Sequence, residues 1–325
     1  MIFVHGFVPD KFRCGSTVPI IKDKLGNINS VNNYRPITLS PIISKMFEYC
    51  VLNSFEYFLS SNQLQFGFKK NSNCSRAIFV LSQVVDYFVK RKSNVFLASL
   101  DATKAFDRVN HVKLFHKLID KGLPGKLIKL IIDWYGKTSM MVKWNSCFSR
   151  TVAVKSGIRQ GGILSPVLFN IYIDELINSL QVSDLGCHLG QEYVGCIVYA
   201  DDVLLVSASV VQLQRMLDLC AECGDKLDIV FNASKSVLFK VGKVCHEKLD
   251  NLYLGMKVLS WCDHFKYLGT YFISDKHLKV DISQSVRKFY ASANAIYSYT
   301  RFVSEFARLS LVESCLLYTS PSPRD

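Results

Sequence analysis

Tyr193-Val194-Gly195-Cys196-Ile197-Val198-Tyr199-Ala200-Asp201-Asp202-Val203-Leu204-Leu205-Val206 holds two apolar runs that meet at a pair of acids. Runs of this composition around a short turn predict a β-hairpin, here with carboxylates at its tip. Adjacent carboxylates repel, and in a dry cleft one of them protonates unless a cation sits between them. A divalent metal relieves that repulsion. Alternation along the strands sends Asp201 and Asp202 in different directions, which makes Asp201 the main expected ligand, joined by a third carboxylate from elsewhere in the chain.

Ser99-Leu100-Asp101-Ala102-Thr103-Lys104-Ala105-Phe106-Asp107 supplies that candidate, at the end of a β-rich run over residues 94–100. Asp101 at a strand end and the hairpin acids can lie side by side in one antiparallel sheet. Two Mg²⁺ ions roughly 3.5–4 Å apart on such carboxylates clamp the attacking and departing oxygens of an in-line phosphoryl transfer; Mn²⁺ is the alternative ion. Taken in order, strand-Asp101-x4-Phe106, then Gln160-Gly161-Gly162-x2-Ser165-Pro166, then Tyr199-Ala200-Asp201-Asp202 resembles the reverse transcriptases of non-LTR (LINE-like) retrotransposons.

Composition agrees with a large basic enzyme. The 325 residues are 49% hydrophobic, enough for a sizeable core, and 39 Lys+Arg against 27 Asp+Glu leave a formal charge of +12 that favours a polyanionic partner. Eleven irregularly spaced cysteines without a signal-like start predict reduced, buried thiols in an intracellular protein, nuclear or cytoplasmic. Cys220-x-x-Cys223 has no second pair at zinc spacing and falls in a helical apolar pattern, so core packing outweighs metal binding. No run of about 18 uncharged apolar residues points to a membrane span.

Residues 18–37 carry Pro19-Ile20-Ile21-Lys22, an Asn-rich turn and Asn33-Tyr34-Arg35-Pro36-Ile37, which resemble the family's opening fingers motif. The resemblance implies that Lys22 and Arg35 reach the incoming triphosphate, where Arg can fork onto two oxygens and Lys supplies a point charge. Residues 40–59 predict a helix with Ile43, Met46, Phe47, Cys50, Val51 and Phe55 toward the core. Lys69 and Lys70 follow template backbone or form a solvated pair, and residues 75–89 predict a helix closed by Lys90-Arg91-Lys92. Residues 109–122 and 124–134 predict two helices, the second opened by Pro124, with His111 and His116 as ordinary helical residues. Residues 138–154 alternate like a hairpin with Lys143 and Arg150 outward. Gly157, Gly161 and Gly162 allow close backbone approach to a nucleotide, and Pro166 suits the first turn of a helix to about residue 180.

By resemblance, Gln160 and Gly161 line the nascent base pair, and amides of the turn from Ala102 onward hold the triphosphate. Phe106 underlies the sugar as a steric gate; its alternative is a core aromatic. Residues 210–224 predict an amphipathic helix. In Asn232-Ala233-Ser234-Lys235, Lys235 either protonates departing pyrophosphate or forms a structural salt bridge. Phe265-Lys266-Tyr267-Leu268-Gly269-Thr270 resembles the primer-grip strand, with Tyr267, Leu268 and Gly269 at the primer, although its aromatic pair also reads as core.

The resemblance covers roughly residues 18–270 and implies an α+β right-hand polymerase. Residues 1–94 are expected as fingers, 95–275 as palm with a fingers insertion at about 111–160, and 276–315 as a truncated helical thumb. The Ser/Pro-rich residues 316–325 read as a non-native tail. The implied function is RNA-directed DNA polymerase activity on RNA template, DNA primer and dNTPs, with the endonuclease of a parent element absent; the alternative is an inactive or truncated nucleic-acid-binding derivative.

Overall fold

A computed structural model describes residues 2–243 and 249–317, so most of the expected tail lies outside the described residues. They fall into two compact units interleaved along the chain, one of Met1–Gln65, Ala102–Val182 and Leu219–Phe231, the other of Phe66–Asp101, Ser183–Asp218 and Asn232–Asp325.

The second unit is built on a five-stranded sheet in the order Ser260–Cys262, Val237–Val241, Val95–Asp101, Asp202–Ser207, Cys196–Tyr199. Its central pairings are antiparallel, and only the edge strand Ser260–Cys262 runs parallel to its neighbour. Val95 through Ala98 and Val203 through Val206 are buried without alternation, as expected where both faces of a strand are covered. One cover is the helix Cys74–Lys90, which packs on strands Val95–Asp101 and Cys196–Tyr199. Asn73 caps it by accepting from the Arg76 amide at 2.9 Å. Ala77, Leu81, Val84 and Val85 recur at helical spacing and are fully buried. Each such aliphatic side chain contributes about 1.5–3 kcal/mol over an exposed one, and truncating Leu81 to Ala would cost about 2–5 kcal/mol.

Farther along, strands His264–Tyr267, Thr270–Ile273 and Lys279–Asp281 form a separate antiparallel sheet. Helices Ser283–Tyr299 and Glu305–Val312 follow, the second capped by Ser304. The expected helical end of the chain is therefore present, with one strand placed before it.

In the first unit, strand Cys14–Ile21 pairs antiparallel with Tyr34–Leu39 and parallel with Ser139–Trp144. The latter opens the hairpin expected over residues 138–154, and Lys143 and Arg150 are exposed on it. Three helices match their predicted spans closely: His111–Asp120, Gly125–Gly136 and Ser165–Val182. The last is apolar nearly all round and buries Leu168, Phe169, Ile171, Tyr172, Ile173, Leu176, Ile177 and Leu180.

One helix is oriented differently from the expectation. The segment at residues 40–59 is helical only over Ile42–Ser54, and its buried positions are Ser44, Glu48 and Val51. Ile43 is 65% exposed and Met46 63% exposed, and Cys50 is also exposed, while Phe47 and Phe55 are half-buried. The polar stripe faces inward because the Glu48 carboxylate finds buried backbone donors there, described below. Among the described residues all the cysteines are reduced thiols, but burial is only partial: Cys50 on the outward face of helix Ile42–Ser54, Cys147 on a short hairpin strand and Cys315 are exposed. Cys220 and Cys223 are core residues, and burial pushes the Cys196 thiol up to about 12. No helix among the described residues is long and apolar enough to cross a membrane.

Candidate active site

The carboxylates belong to the second unit. In the pairing of Val95–Asp101 with Asp202–Ser207, Asp202 stands directly opposite Asp101, and Val203 opposite Leu100. Directly opposed residues project from one face of a sheet, so Asp101 and Asp202 share a face. Tyr199 pairs with Asp202 across the hairpin, leaving Ala200 and Asp201 as the two-residue turn. Ala200 takes a left-handed φ of +55°, an uncommon conformation for a residue with a Cβ and of a kind that clusters at functional sites. Asp202 is exposed; Asp101 and Asp201 are half-buried.

Asp101 is held from behind by a turn the sequence did not single out for that purpose. The Asp101 amide donates to Ser236 Oγ at 3.1 Å, and the Asn232 amide donates to the Asp101 carbonyl at 2.8 Å. Ser236 Oγ in turn donates to the Asn232 carbonyl at 2.8 Å, and Ser236 is 1% exposed. Both main-chain groups of the strand's last residue are thus fixed. Lys235, next to this serine, is exposed, and no side-chain bond from it occurs among the described residues, so the salt-bridge alternative has no partner there.

The donor set suits a hard divalent cation. Among the described residues no three His, Cys, Asp or Glu side chains converge to metal-binding distance. Mg²⁺, however, is ordinarily held by one or two carboxylates together with substrate phosphates and waters. Like charges placed directly opposite one another in a sheet are destabilising, which makes the Asp101 and Asp202 pair a favourable seat for a cation.

Nearby in this unit, Tyr267 departs from the expectation of primer contact. Its ring is 3% exposed, its hydroxyl donates to the Ile197 carbonyl at 3.4 Å, and burial, followed by the Asp202 charge, holds its pKa well above the ordinary value. It is core, as is Phe265 at 4% exposure. Leu268 and Gly269 form the two-residue turn of the hairpin, both at positive φ (45° and 82°), and Gly269 is exposed at the tip.

The first unit carries the residues expected at the nucleotide. Ile20 pairs with Arg35, which places them on one face, and Lys22, two residues on from Ile20, returns to it. Both basic side chains are exposed. Lys22 Nζ donates to the Asn32 carbonyl at 3.3 Å and Lys104 Nζ to Asn32 Oδ1 at 3.0 Å, so a third cation, given no role from sequence, joins the same loop. Lys104 holds the turn after Ala102 at a left-handed φ of +50°. The Thr103 amide donates to the Val230 carbonyl at 2.8 Å and is therefore committed within the fold. Phe106 is half-buried on the short helix Ala105–Arg108, with its ring stacked on buried Phe169 at a centroid distance of 4.4 Å.

The glycine-rich segment is pinned at several points. The Gly157 amide donates to the Val109 carbonyl at 2.8 Å, and the His111 ring nitrogen Nε2 lies 2.7 Å from the Gly157 carbonyl. A Cβ at Gly161, whose φ is +114°, would meet the Thr38 carbonyl at 2.7 Å, so only glycine fits beside that strand. The Thr38 amide donates to the Gln160 carbonyl at 2.7 Å, and Gln160 Nε2 donates to Asp107 Oδ1 at 2.9 Å. His111, expected as an ordinary helical residue, is a buried anchor of this loop; its partner lies 46 positions away, and no local pattern announces such a contact.

Residues 21–272 match the family model described as reverse transcriptase (RNA-dependent DNA polymerase). The chain belongs to the reverse transcriptase family. Among its relatives, the polyprotein of the type-1 retrotransposable element R2 of Popillia japonica is 28% identical over 83% of this chain and 39% of that protein. The RNA-directed DNA polymerase from mobile element jockey of Drosophila funebris is 26% identical over 81% of this chain and 29% of its own length. The non-LTR retrotransposon resemblance is thereby borne out, and the chain spans well under half the length of these relatives. A solved Candida tropicalis telomerase matches with a TM-score of 0.57 at 13% identity, covering 96% of this chain and 54% of that one. An apo form truncated from its C-terminal domain gives 0.56. That likeness shows the right-hand polymerase fold of this reverse transcriptase domain.

Proposed function

We propose that the chain catalyses RNA-templated DNA synthesis, with a primer 3′-hydroxyl attacking the α-phosphorus of a dNTP and pyrophosphate leaving. The observation that carries this reading is the register that sets Asp202 opposite Asp101 in a family whose chemistry runs on divalent ions. Two such ions, when bound, would activate the hydroxyl and neutralise charge on the reacting phosphate. Asp101 and Asp202 supply the negative charge that holds them, and Asp201 in the turn adds to it. Lys22 and Arg35 hold the triphosphate, with Lys104 beside them on Asn32. Lys235 delivers a proton from Nζ to the departing pyrophosphate. Gln160 and Gly161 border the new base pair, Phe106 excludes a 2′-hydroxyl, and the Leu268–Gly269 tip approaches the primer.

The partition into fingers, palm and partial thumb belongs to the same proposal, as do Mg²⁺ as the working ion and action in the nucleus or cytoplasm. Extension of a DNA primer on an RNA template with dNTPs and Mg²⁺ tests it. Template-dependent product supports the reading, and template binding without any extension contradicts it.

A further inference from the structure

In the turn that leads from the glycine-rich loop into helix Ser165–Val182, the Gly162 amide donates locally to the Arg159 carbonyl at 3.2 Å, whereas the Leu164 amide takes its acceptor from another element. The position before this helix is Leu164, whose side chain accepts nothing, and the first turn of the helix contains no acid. Amides at such a helix entrance carry partial positive charge and, when buried, require an oxygen. The oxygen comes from a different helix. Glu48 Oε2 accepts from the Leu164 amide at 2.9 Å, and the same carboxylate accepts from the Ile163 amide. Glu48 is 3% exposed, and a Cβ added at Gly162 would lie 3.1 Å from its Oε2, so the carboxylate is wedged directly under the loop.

Arg159 frames the same carboxylate. It contributes favourable charge to Glu48 and is itself tied to the Phe12 carbonyl at 2.8 Å and to the Arg13 carbonyl. The Tyr135 hydroxyl, also buried, bonds to the Ser165 side chain. Gln160 and Gly161 therefore sit between two anchors: His111 at Gly157 on one side, Glu48 at Ile163 and Leu164 on the other. A buried carboxylate that accepts from two consecutive main-chain amides fixes the position of that backbone.

We infer that Glu48 is a positioning residue for nucleotide selection, holding the far end of the Gln160–Gly161 loop in register through the Ile163 and Leu164 amides. The inference rests on the reading that this loop borders the nascent base pair. Releasing the far anchor lets the loop drift, and misplacement by an ångström can cost on the order of a hundredfold in a positioned reaction. The effect falls on binding and discrimination of the dNTP more than on the chemical step, because the carboxylates are on other elements.

The test compares the wild-type chain with Glu48→Ala, Glu48→Asp and Glu48→Gln. Glutamine keeps an acceptor oxygen at the same reach, while aspartate retracts it by one methylene. Amide hydrogen exchange should show protection at Leu164 lost in Glu48→Ala and Glu48→Asp but kept in Glu48→Gln. In primer extension the first two should raise KM for the correct dNTP by roughly tenfold and narrow its advantage over a mismatched one, with a smaller change in kcat, and glutamine should restore both. If Glu48→Ala fails to fold, Glu48→Asp against Glu48→Gln carries the comparison. Unchanged protection at Leu164 overturns the anchor, and lost protection with unchanged KM and mismatch ratio overturns its role in selection. A wild-type chain that extends no primer contradicts the polymerase reading instead, and the exchange result then still decides the anchor.

Discussion

The Phe106 ring lies flat against Phe169, with centroids 4.4 Å apart and planes 12° from parallel. Phe169 is fully buried while Phe106 is half-buried, so one face of the Phe106 ring is fixed by packing and the remainder is left to the surface. A ring held this way can act as a rigid wall. Phe106→Ala is expected to raise ribonucleotide incorporation by about tenfold or more relative to deoxynucleotide, with a moderate loss of deoxynucleotide efficiency. Single-nucleotide incorporation with dNTP and rNTP measures the ratio. A proportional loss of both would make the ring a packing element alone.

Ser236 joins the Asp101 amide to the Asn232 carbonyl. Ser236→Ala leaves a part-buried amide without its acceptor, at a cost of about 1 kcal/mol, and loosens the end of the strand that presents Asp101. Extension rate should fall by roughly tenfold or more while RNA binding is retained. Equal activity at equal stability would remove Ser236 from the site.

Burial, the largest influence on Glu48, raises its pKa above the ordinary 4.5 despite the Leu164 and Ile163 amides and the nearby Arg159. Between 4.5 and the raised native value the folded chain binds more protons at this group than the unfolded chain does. This contribution to stability therefore falls as pH rises through that window and levels off above it. Thermal unfolding of wild type against Glu48→Gln should show a difference that moves against wild type with rising pH. A pH-independent difference would mean that the carboxyl is not desolvated.

With a formal charge of +12 and exposed Lys22, Arg35 and Lys104, affinity for RNA should drop steeply with salt. Each phosphate contact released contributes a slope of roughly −0.7 to −0.9 in log affinity against log salt. Titration between low and physiological salt reads the slope, and Lys104→Ala should reduce it by about one contact. A flat dependence would leave the charge without a polyanionic partner.

The sheet was legible because its information is local and contiguous. Val95–Ala98 and Val203–Val206 are unbroken apolar runs, and the acids at their ends announce the hairpin tip and its neighbour. Alternation in the sequence gives the main metal role to Asp201, and the register adds that Asp202 stands directly opposite Asp101 with Asp201 in the adjoining turn. Pairing partners decide that, and single-strand alternation cannot supply them. On helix Ile42–Ser54 the expected Val51 is buried, while Ile43, Met46 and Cys50 face outward for a related reason: apolar spacing locates a buried stripe only when the burial is apolar. Glu48 is drawn inside by main-chain amides 115 and 116 residues farther along, and His111 by a carbonyl 46 residues away. Tyr267 satisfies a motif and a core pattern equally, and its burial, with the hydroxyl bonded to the Ile197 carbonyl, resolves it as core.

Primer extension on an RNA template by Asp101→Asn, beside wild type and at matched template occupancy, tests the paired-carboxylate account most directly. The substitution preserves shape and removes one of the two opposed charges, so extension should fall by about a thousandfold, equivalent to roughly 4 kcal/mol of transition-state stabilisation, with RNA affinity unchanged. A variant that retains more than about a tenth of wild-type extension would contradict the placement of catalysis at Asp101 and Asp202.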